Sequence, residues 1–165
     1  MNPKAVLRVL VALTLVLTVG ITADAQLSKH GHWRGMFGAR TTGTTYQIEK
    51  GHIFFVGDIS GVFFNDVANG FLDKSSVDCP GVIDIVNGLS IANHGYCIVT
   101  DKDGDKVFYV WKGKDTSPTV GGGTFQFTGG TGKYSGIKGP GTYRYAGIGK
   151  APAYSVIWEG DWQLP

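Results

Sequence analysis

The segment GGTFQFTGGTGKYSGIKGPGTYRY, residues 122–145, decides the fold class. Phenylalanines alternate with polar residues before its glycine-dense centre, and tyrosines alternate with polar residues after it. Alternation with a period of two is typical of a strand with one buried face. The central glycines and Pro140 oppose a helix and favour a turn. The segment therefore predicts two strands that face a shared interior, joined by a turn that closes one end, with Tyr134 and Ile137 tucked under it.

The same segment contains Gly-Thr-Gly-Lys, which looks like a phosphate-binding loop. A Walker A loop requires G-x-x-x-x-G-K-[ST]. Here Tyr134 follows Lys133, and Phe127 stands where the first glycine is required. The dinucleotide pattern G-x-G-x-x-G fails as well, because Ser135 takes the place of its third glycine. Phosphate binding is therefore not expected.

The rest of the chain consists of short β-rich runs separated by glycine, asparagine and aspartate. Its 165 residues include 26 glycines, far above the usual share of about 7%, and the glycines follow no collagen-like period. This pattern predicts an all-β domain, most simply a single eight-stranded antiparallel barrel. The predicted strands are 33–39, 44–49, 53–59, 61–65, 70–77, 82–86, 95–100, 106–112, 124–128, 142–146 and 154–162.

The first 25 residues have the features of a secretory signal peptide. Lys4 and Arg8 precede an apolar run over residues 9–21, and Ala23-Asp24-Ala25 is a small-x-small cleavage site. A retained membrane anchor is the alternative, but the run is shorter than the roughly 20 residues that a spanning helix needs. The cleavage point has no cysteine, so a lipid anchor is not expected there. We expect a soluble barrel domain over residues 26–165, exported to the periplasm or the extracellular space.

Charge and cysteine content narrow the function classes. Fifteen basic and thirteen acidic residues give a formal charge of +2, and no basic stripe indicates nucleic-acid binding. Cys79 and Cys97 are an even pair in an exported chain, which favours one disulfide over two buried free thiols. Because there is no C-x-x-C motif, neither a redox site nor a zinc site is indicated.

Three stretches of the second half carry a resemblance to a known family. They are FTGGTGKYSGI with its flanking strands, HGYCIVTDKDGDKVF from His94 to Phe108, and WEGDW from Trp158 to Trp162. They resemble barrels related to plant allene oxide cyclases and dirigent proteins, and more specifically small exported bacterial members of that superfamily. The resemblance implies a calycin-like eight-stranded barrel with an apolar cavity, trimeric in many plant members. Plant cyclases steer a reactive epoxide and dirigent proteins orient coupling radicals, but the catalytic residues of neither group can be placed here.

Polar motifs provide few candidates for chemistry. DKDGD, residues 101–105, resembles a calcium loop, but Lys106 and Lys112 stand where an EF-hand needs glycine and glutamate, so a hairpin turn is favoured over a weak calcium site. His30 and His32 are expected in a disordered N-terminal tail, and His52 and His94 at strand ends. We expect no metal and no cofactor.

Glu159 is the one catalytic candidate. No G-x-S-x-G motif occurs, whereas Glu159 lies in a strand between Trp158 and Trp162, on the face opposite both. If that face were inward, burial would raise the pKa of the carboxyl and suit it to proton transfer. A solvent-facing or arginine-paired glutamate is the alternative.

Two strands are apolar on both faces, which a simple barrel wall does not need. In KVFYVWK, Val107, Tyr109 and Trp111 share one face while Phe108 and Val110 share the other. The run HIFFVGDI from His52 is similar. Such strands indicate that the outer surface is covered either by a terminal segment or by another subunit, and the second alternative predicts a homo-oligomer.

Three functions remain open at this point. The first is binding of a small apolar or aromatic molecule inside the barrel, the second is a cyclase-type or dirigent-type enzyme, and the third is a packed structural or interaction domain. The first interpretation assigns a ligand-binding role to the inward aromatic residues. They are Tyr109, Trp111, Phe125, Phe127, Tyr143, Tyr145 and Trp158.

Overall fold

The computed structural model describes residues 27–113, 116–150 and 152–165 as an all-β closed barrel. The predicted signal peptide, residues 1–25, lies outside the described residues. Eight antiparallel strands follow one another around the barrel in chain order, and the last pairs with the first. The predicted fold class is therefore confirmed. The strands are β1 His30–Glu49, β2 His52–Asn65, β3 Ser75–Val86, β4 Leu89–Thr100, β5 Lys106–Gly113, β6 Val120–Gly130, β7 Pro140–Gly147 and β8 Ala153–Gln163.

The predicted strands merge or shift where glycine does not break the chain. The first two predicted runs form β1, and the next two form β2. Gly43, which separates the first two runs, pairs with Gly57 of β2 and continues the ladder. The predicted strand 70–77 is wrong over its first five residues, because Leu72 and Lys74 adopt positive φ and β3 begins only at Ser75.

In the described part of the chain, no helix reaches the length and apolar character that a membrane crossing requires.

One end of the barrel is filled with aromatic side chains. Trp33, Phe63 and Trp158 lie at its centre, with ring centroids 5.1 to 6.1 Å apart. The loop between β2 and β3 places Phe71 over this end, where it stacks on Trp162 at 4.4 Å. Such contacts add about 0.5–1.5 kcal/mol each beyond simple burial.

The turn between β6 and β7 seals the same end. It contains a single 3₁₀ turn, Gly132–Tyr134, and its Tyr134 and Ile137 side chains are buried at 3% and 1% exposure. Their predicted position under the turn is confirmed. Tyr134 meets Phe71 edge to face at 5.7 Å, so two loops from different parts of the chain close this mouth together.

A disulfide between Cys79 and Cys97 links β3 to its neighbour β4, as the cysteine count predicted. Both cysteines face the barrel interior and are 3% exposed. In the chain-entropy account, a loop of this size stabilises a domain by about 3 kcal/mol.

Candidate functional site

One end of the barrel is filled by the aromatic side chains around Trp33, Phe63 and Trp158, and the opposite end contains a cavity of about 330 Å³. Small-molecule sites in proteins usually occupy about 300–1,000 Å³ and are mostly apolar. Phe37, Trp158 and Tyr109 form the boundary between the filled part and the cavity, since each is both part of the core and part of the cavity lining. Thr41 and Thr45 of β1 also line the cavity.

The cavity walls differ in chemistry. Strands β2 and β3 contribute an apolar wall of Ile53, Phe55, Ile59, Ile83 and Ile85. The strands that follow contribute aromatic rings together with hydroxyl and amide groups. This second wall contains Ser90, Asn93, Tyr109, Trp111, Tyr143 and Tyr145. Among the described lining residues there is no charged side chain.

Four buried polar atoms of the second wall have no hydrogen-bond partner among the described residues. They are Ser90 Oγ, Asn93 Oδ1 and the hydroxyl oxygens of Tyr109 and Tyr143. The Asn93 amide nitrogen does donate, to Thr116 Oγ1 at 3.4 Å. Tyr145 is also satisfied, since its hydroxyl donates to the Ser117 carbonyl at 2.7 Å. Leaving a buried polar atom unpaired costs about 1–3 kcal/mol, so this wall holds unused hydrogen-bonding capacity.

A β-bulge brings Ser90 and Asn93 to the same side of β4. The two residues are three apart, so in a regular strand they would face opposite sides of the sheet. The register with β3 pairs Ile85 with Ser90 and Asp84 with Ala92, which leaves Ile91 as the extra residue. Ser90 and Asn93 are consequently 1% and 5% exposed, while Ile91 is 49% exposed. Neither residue could be predicted to face inward from the sequence, because the bulge interrupts the period of two.

Burial keeps the cavity tyrosines protonated. Desolvation, with a smaller contribution from neighbouring Tyr143, raises the pKa of Tyr109 well above its usual value. Desolvation, followed by the proximity of Tyr145, likewise raises the pKa of Tyr143. Both hydroxyls therefore remain neutral at physiological pH and can donate or accept a hydrogen bond.

The structure divides the seven aromatic residues predicted to bind a ligand into two groups. Five of them line the cavity, whereas Phe125 and Phe127 are 3% exposed within the filled part of the barrel. Phe125 contacts the rings of Trp33 and Tyr109 instead. The five that line the cavity are Tyr109, Trp111, Tyr143, Tyr145 and Trp158.

Glu159 lies on the outer wall, so the condition for its proposed proton transfer is not met. Its side chain is 43% exposed, with Arg34 Nε 3.9 Å and His32 Nε2 3.6 Å from its carboxylate. The arginine-paired alternative describes it better. His32 also corrects the expectation of a disordered tail, because it lies in β1 and its Nδ1 is 2.9 Å from Asp161. His52 lies 2.6 Å from Asp84 at the start of β2.

The DKDGD motif and the Gly-Thr-Gly-Lys motif lie next to each other and form ion pairs. The DKDGD turn is the hairpin between β4 and β5, with Gly104 at positive φ, as predicted. The Lys133 ammonium lies 2.5 Å from Asp101, 2.6 Å from Asp103 and 3.9 Å from Asp105. The lysine occupies the position that a bound cation would take, and its charge is neutralised at the place where a phosphate would have to bind.

The fold agrees with that of dirigent proteins. The pterocarpan synthase dirigent protein GePTS1 superposes with a TM-score of 0.51 at 14% identity, over 88% of this chain and 95% of that one. A second, PsPTS1, has a TM-score of 0.49 at 13% identity, over 84% of this chain and 97% of that one. No protein-family model matches the sequence, and no curated protein matches it. The chain therefore has a barrel of the dirigent type, as the resemblance implied.

Proposed function

We propose that this chain is an exported barrel protein that binds a small apolar or aromatic molecule in the cavity at its open end. The observation that carries the proposal is the cavity itself, with a volume in the range of ligand sites and walls made of aromatic and aliphatic side chains. Protein interiors are normally close-packed. A barrel that fills one end with stacked rings but leaves the other end open supports binding over a purely structural role.

An enzyme of dirigent type is the second candidate. Support for it comes from the shared barrel fold, since GePTS1 is described as a pterocarpan synthase. Neither a carboxylate nor a histidine lines the cavity among the described residues. Such an enzyme would guide a reactive intermediate by shape and hydrogen bonding rather than by a carboxylate general acid. Its test is chiral chromatography of the products formed when an added one-electron oxidant converts a phenol to radicals that couple in pairs, with and without the chain. An excess of one enantiomer only in the presence of the chain supports this candidate, and a racemic product in both reactions contradicts it.

Export is supported by the disulfide and by the signal-like first 25 residues, a combination similar to small exported bacterial barrels. Disulfides persist mainly in oxidising compartments. Mass spectrometry of protein recovered from the medium or periplasm should give an N-terminus at Gln26. Recovery of the uncleaved chain from the cytoplasm would contradict export.

A homo-oligomer through the outer wall of β4 and β5 is part of the proposal. Tyr96 lies opposite Val110, and Ile98 lies opposite Phe108, all on the outer face. Tyr96 is 62% exposed. An apolar row of this kind, exposed at Tyr96 and partly exposed at its other three positions, is typical of a protein contact. Light scattering after size exclusion should give a multiple of the protomer mass, and Tyr96→Asp should give a monomer.

Ligand binding is tested with N-phenyl-1-naphthylamine, an uncharged probe that fluoresces in apolar sites. Ile83→Trp, on the inner face of β3, fills the cavity and is expected to lower probe affinity at least about tenfold, equivalent to ~1.4 kcal/mol. The matched control is Val82→Trp, the adjacent residue on the outer face, which should bind as the unmodified chain does. Circular dichroism verifies that both variants fold.

Two results would contradict binding in the cavity. One is the absence of a fluorescence change with the unmodified chain, and the other is equal binding by the two tryptophan variants. Native mass spectrometry of protein isolated from its own source provides an independent measurement, because a retained molecule adds its mass to that of the chain.

A further inference from the structure

The four unpartnered polar atoms of the cavity make one of its walls a potential recognition surface. Ser90, Asn93 and Tyr109 are each at least 95% buried, and the Tyr143 hydroxyl oxygen is buried as well. All four residues line the cavity. Native proteins satisfy the large majority of buried polar atoms, so four such atoms in one wall call for a ligand that pairs with them.

Asn93 and Tyr143 converge beside Gly113 of β5. A Cβ on Gly113 would lie 2.5 Å from Asn93 Oδ1 and 2.8 Å from the Tyr143 hydroxyl oxygen. Because the Asn93 amide nitrogen is directed to Thr116, its carbonyl oxygen is the atom left for a ligand. That oxygen can only accept a hydrogen bond, whereas the nearby tyrosine hydroxyl can donate one. The wall therefore offers an acceptor and a donor side by side.

The same groups disfavour an anionic ligand. A carboxylate would face the carbonyl oxygen of Asn93, and no positively charged side chain lines the cavity among the described residues. Transferring an unpaired charge from water into an apolar site is very costly. A neutral group that both donates and accepts, such as a primary amide or a hydroxyl, meets no such penalty and can pair with both partners.

We infer that Ser90, Asn93, Tyr109 and Tyr143 form a polar subsite that selects uncharged ligands with a terminal amide or hydroxyl group and rejects carboxylates. The inference rests on the proposed binding function and specifies its ligand class. The β-bulge at Ile91 is what assembles the subsite, since it turns Ser90 and Asn93 to the same side. The apolar wall of β2 and β3 accommodates the ring-bearing body of the ligand.

Three naphthalene probes that differ in one substituent test the subsite by isothermal titration calorimetry. We expect the full barrel domain to bind 2-naphthamide about tenfold more tightly than 2-methylnaphthalene, which corresponds to one net hydrogen bond with a buried partner. Binding of 2-naphthoate should be weaker than that of both. Equal affinity for the amide and the hydrocarbon, or a preference for the carboxylate, would overturn the inference.

Two variants test whether the preference for the amide comes from Asn93 and Tyr143. Asn93→Leu removes the acceptor while keeping the branching of the side chain, and Tyr143→Phe removes one hydroxyl while keeping the ring, so at least one variant is expected to fold. In each folded variant the ratio of the 2-naphthamide affinity to the 2-methylnaphthalene affinity should fall toward one, whereas an unchanged ratio in the folded variants would refute the assignment. If N-phenyl-1-naphthylamine fails to bind the unmodified chain, the proposed function fails; if it binds but the amide is not preferred, only the subsite fails.

Discussion

Lys133 connects two motifs that look like ligand sites in the sequence, one like a phosphate-binding loop and one like a calcium loop. Lys133 ends a Gly-Thr-Gly-Lys run like a phosphate-binding lysine, and Asp101, Asp103 and Asp105 are spaced like calcium ligands. In the folded chain the lysine joins the three aspartates. Tyr134 adds a hydrogen bond from its hydroxyl to Asp101 at 3.1 Å. This cluster fastens the turn between β6 and β7 to the hairpin between β4 and β5.

Replacing Lys133 should therefore destabilise the barrel. Lys133→Met leaves Asp101, whose side chain is only 6% exposed, without its cation, and we expect a loss of about 1–3 kcal/mol in the free energy of unfolding. Lys102→Met is the control, because that side chain is 77% exposed and, among the described residues, forms an ion pair only with Asp103. It should cost less than about 0.5 kcal/mol. Urea unfolding measures the free energy of unfolding of both variants. Equal losses would show that the ion pairs of Lys133 do not stabilise the fold.

The same cluster predicts how stability responds to acid. Burial by itself raises the pKa of Asp101, but hydrogen bonds from Lys133, the Asp103 backbone and Tyr134 outweigh it, so the pKa lies below its ordinary value of 3.8. A carboxyl with a lowered folded-state pKa stabilises the fold above its unfolded pKa and loses that contribution as the pH falls through the folded value. The urea midpoint should thus be nearly constant from pH 7 to 5 and decrease below about pH 4. Lys133→Met should reduce the decrease, and an identical pH profile in the variant would contradict this origin.

At the scale of the strands, glycine pairs let aromatic rings lie flat against the barrel wall. Four cross-strand pairs in the described strands unite glycines of neighbouring strands. In three of them the missing Cβ atoms leave room for one inward ring that lies over both glycines, and the fourth, Gly57–Gly81, joins two of these three pairs into one row. The ring restores the apolar surface that glycine lacks, an arrangement known from designed sheets. The pairs and their rings are Gly43–Gly57 with Phe55, Gly81–Gly95 with Trp111, and Gly141–Gly160 with Phe125.

Gly81→Ala tests this arrangement. The new Cβ would lie 2.5 Å from the Trp111 ring and 2.7 Å from the His94 carbonyl oxygen, so we expect a loss of about 1–3 kcal/mol from overpacking. Gly38→Ala in β1 is the matched control, because no heavy atom lies within 4 Å of its Cβ position. It should be neutral or stabilise slightly, since alanine loses less backbone freedom on folding than glycine. Thermal unfolding distinguishes the two, and similar melting temperatures would contradict the role of the ring.

The strands also show why part of the site was predictable and part was not. Tyr143 and Tyr145 alternate regularly with polar residues, so their inward direction followed from the period of two. Ser90 and Asn93 depend on a bulge that is defined only by the register with β3. Phe125 was correctly placed inward but is held over Gly141 and Gly160, so it does not reach the cavity. Local patterns predict which face a residue occupies, whereas depth along the barrel axis depends on contacts between distant strands.

At the scale of the whole molecule, the barrel has a filled end and a hollow end along its axis. The closed end contains stacked aromatic rings and two sealing loops, and the other end contains a cavity with unpaired polar atoms. Rings that fill a core contribute most to stability, and unfilled volume reduces it. If the cavity binds a ligand as proposed, its residues can be changed to suit that ligand while the closed end maintains the fold.

Two phenylalanines of β2 test whether the filled end and the cavity end are independent. Both face inward, but Phe63 lies in the filled end and Phe55 lies at the cavity. Phe63 is fully buried against Trp33 and Trp158, and Phe63→Ala should lower the free energy of unfolding by about 3–5 kcal/mol. Phe55 is only partly buried and lines the cavity, so Phe55→Ala should cost about 1–2 kcal/mol. Phe55→Ala should also change the affinity for N-phenyl-1-naphthylamine, whereas Phe63→Ala, where still folded, should leave it nearly unchanged. Equal losses of stability, or a larger effect of Phe63→Ala on probe affinity, would mean that the two ends of the barrel act as one unit.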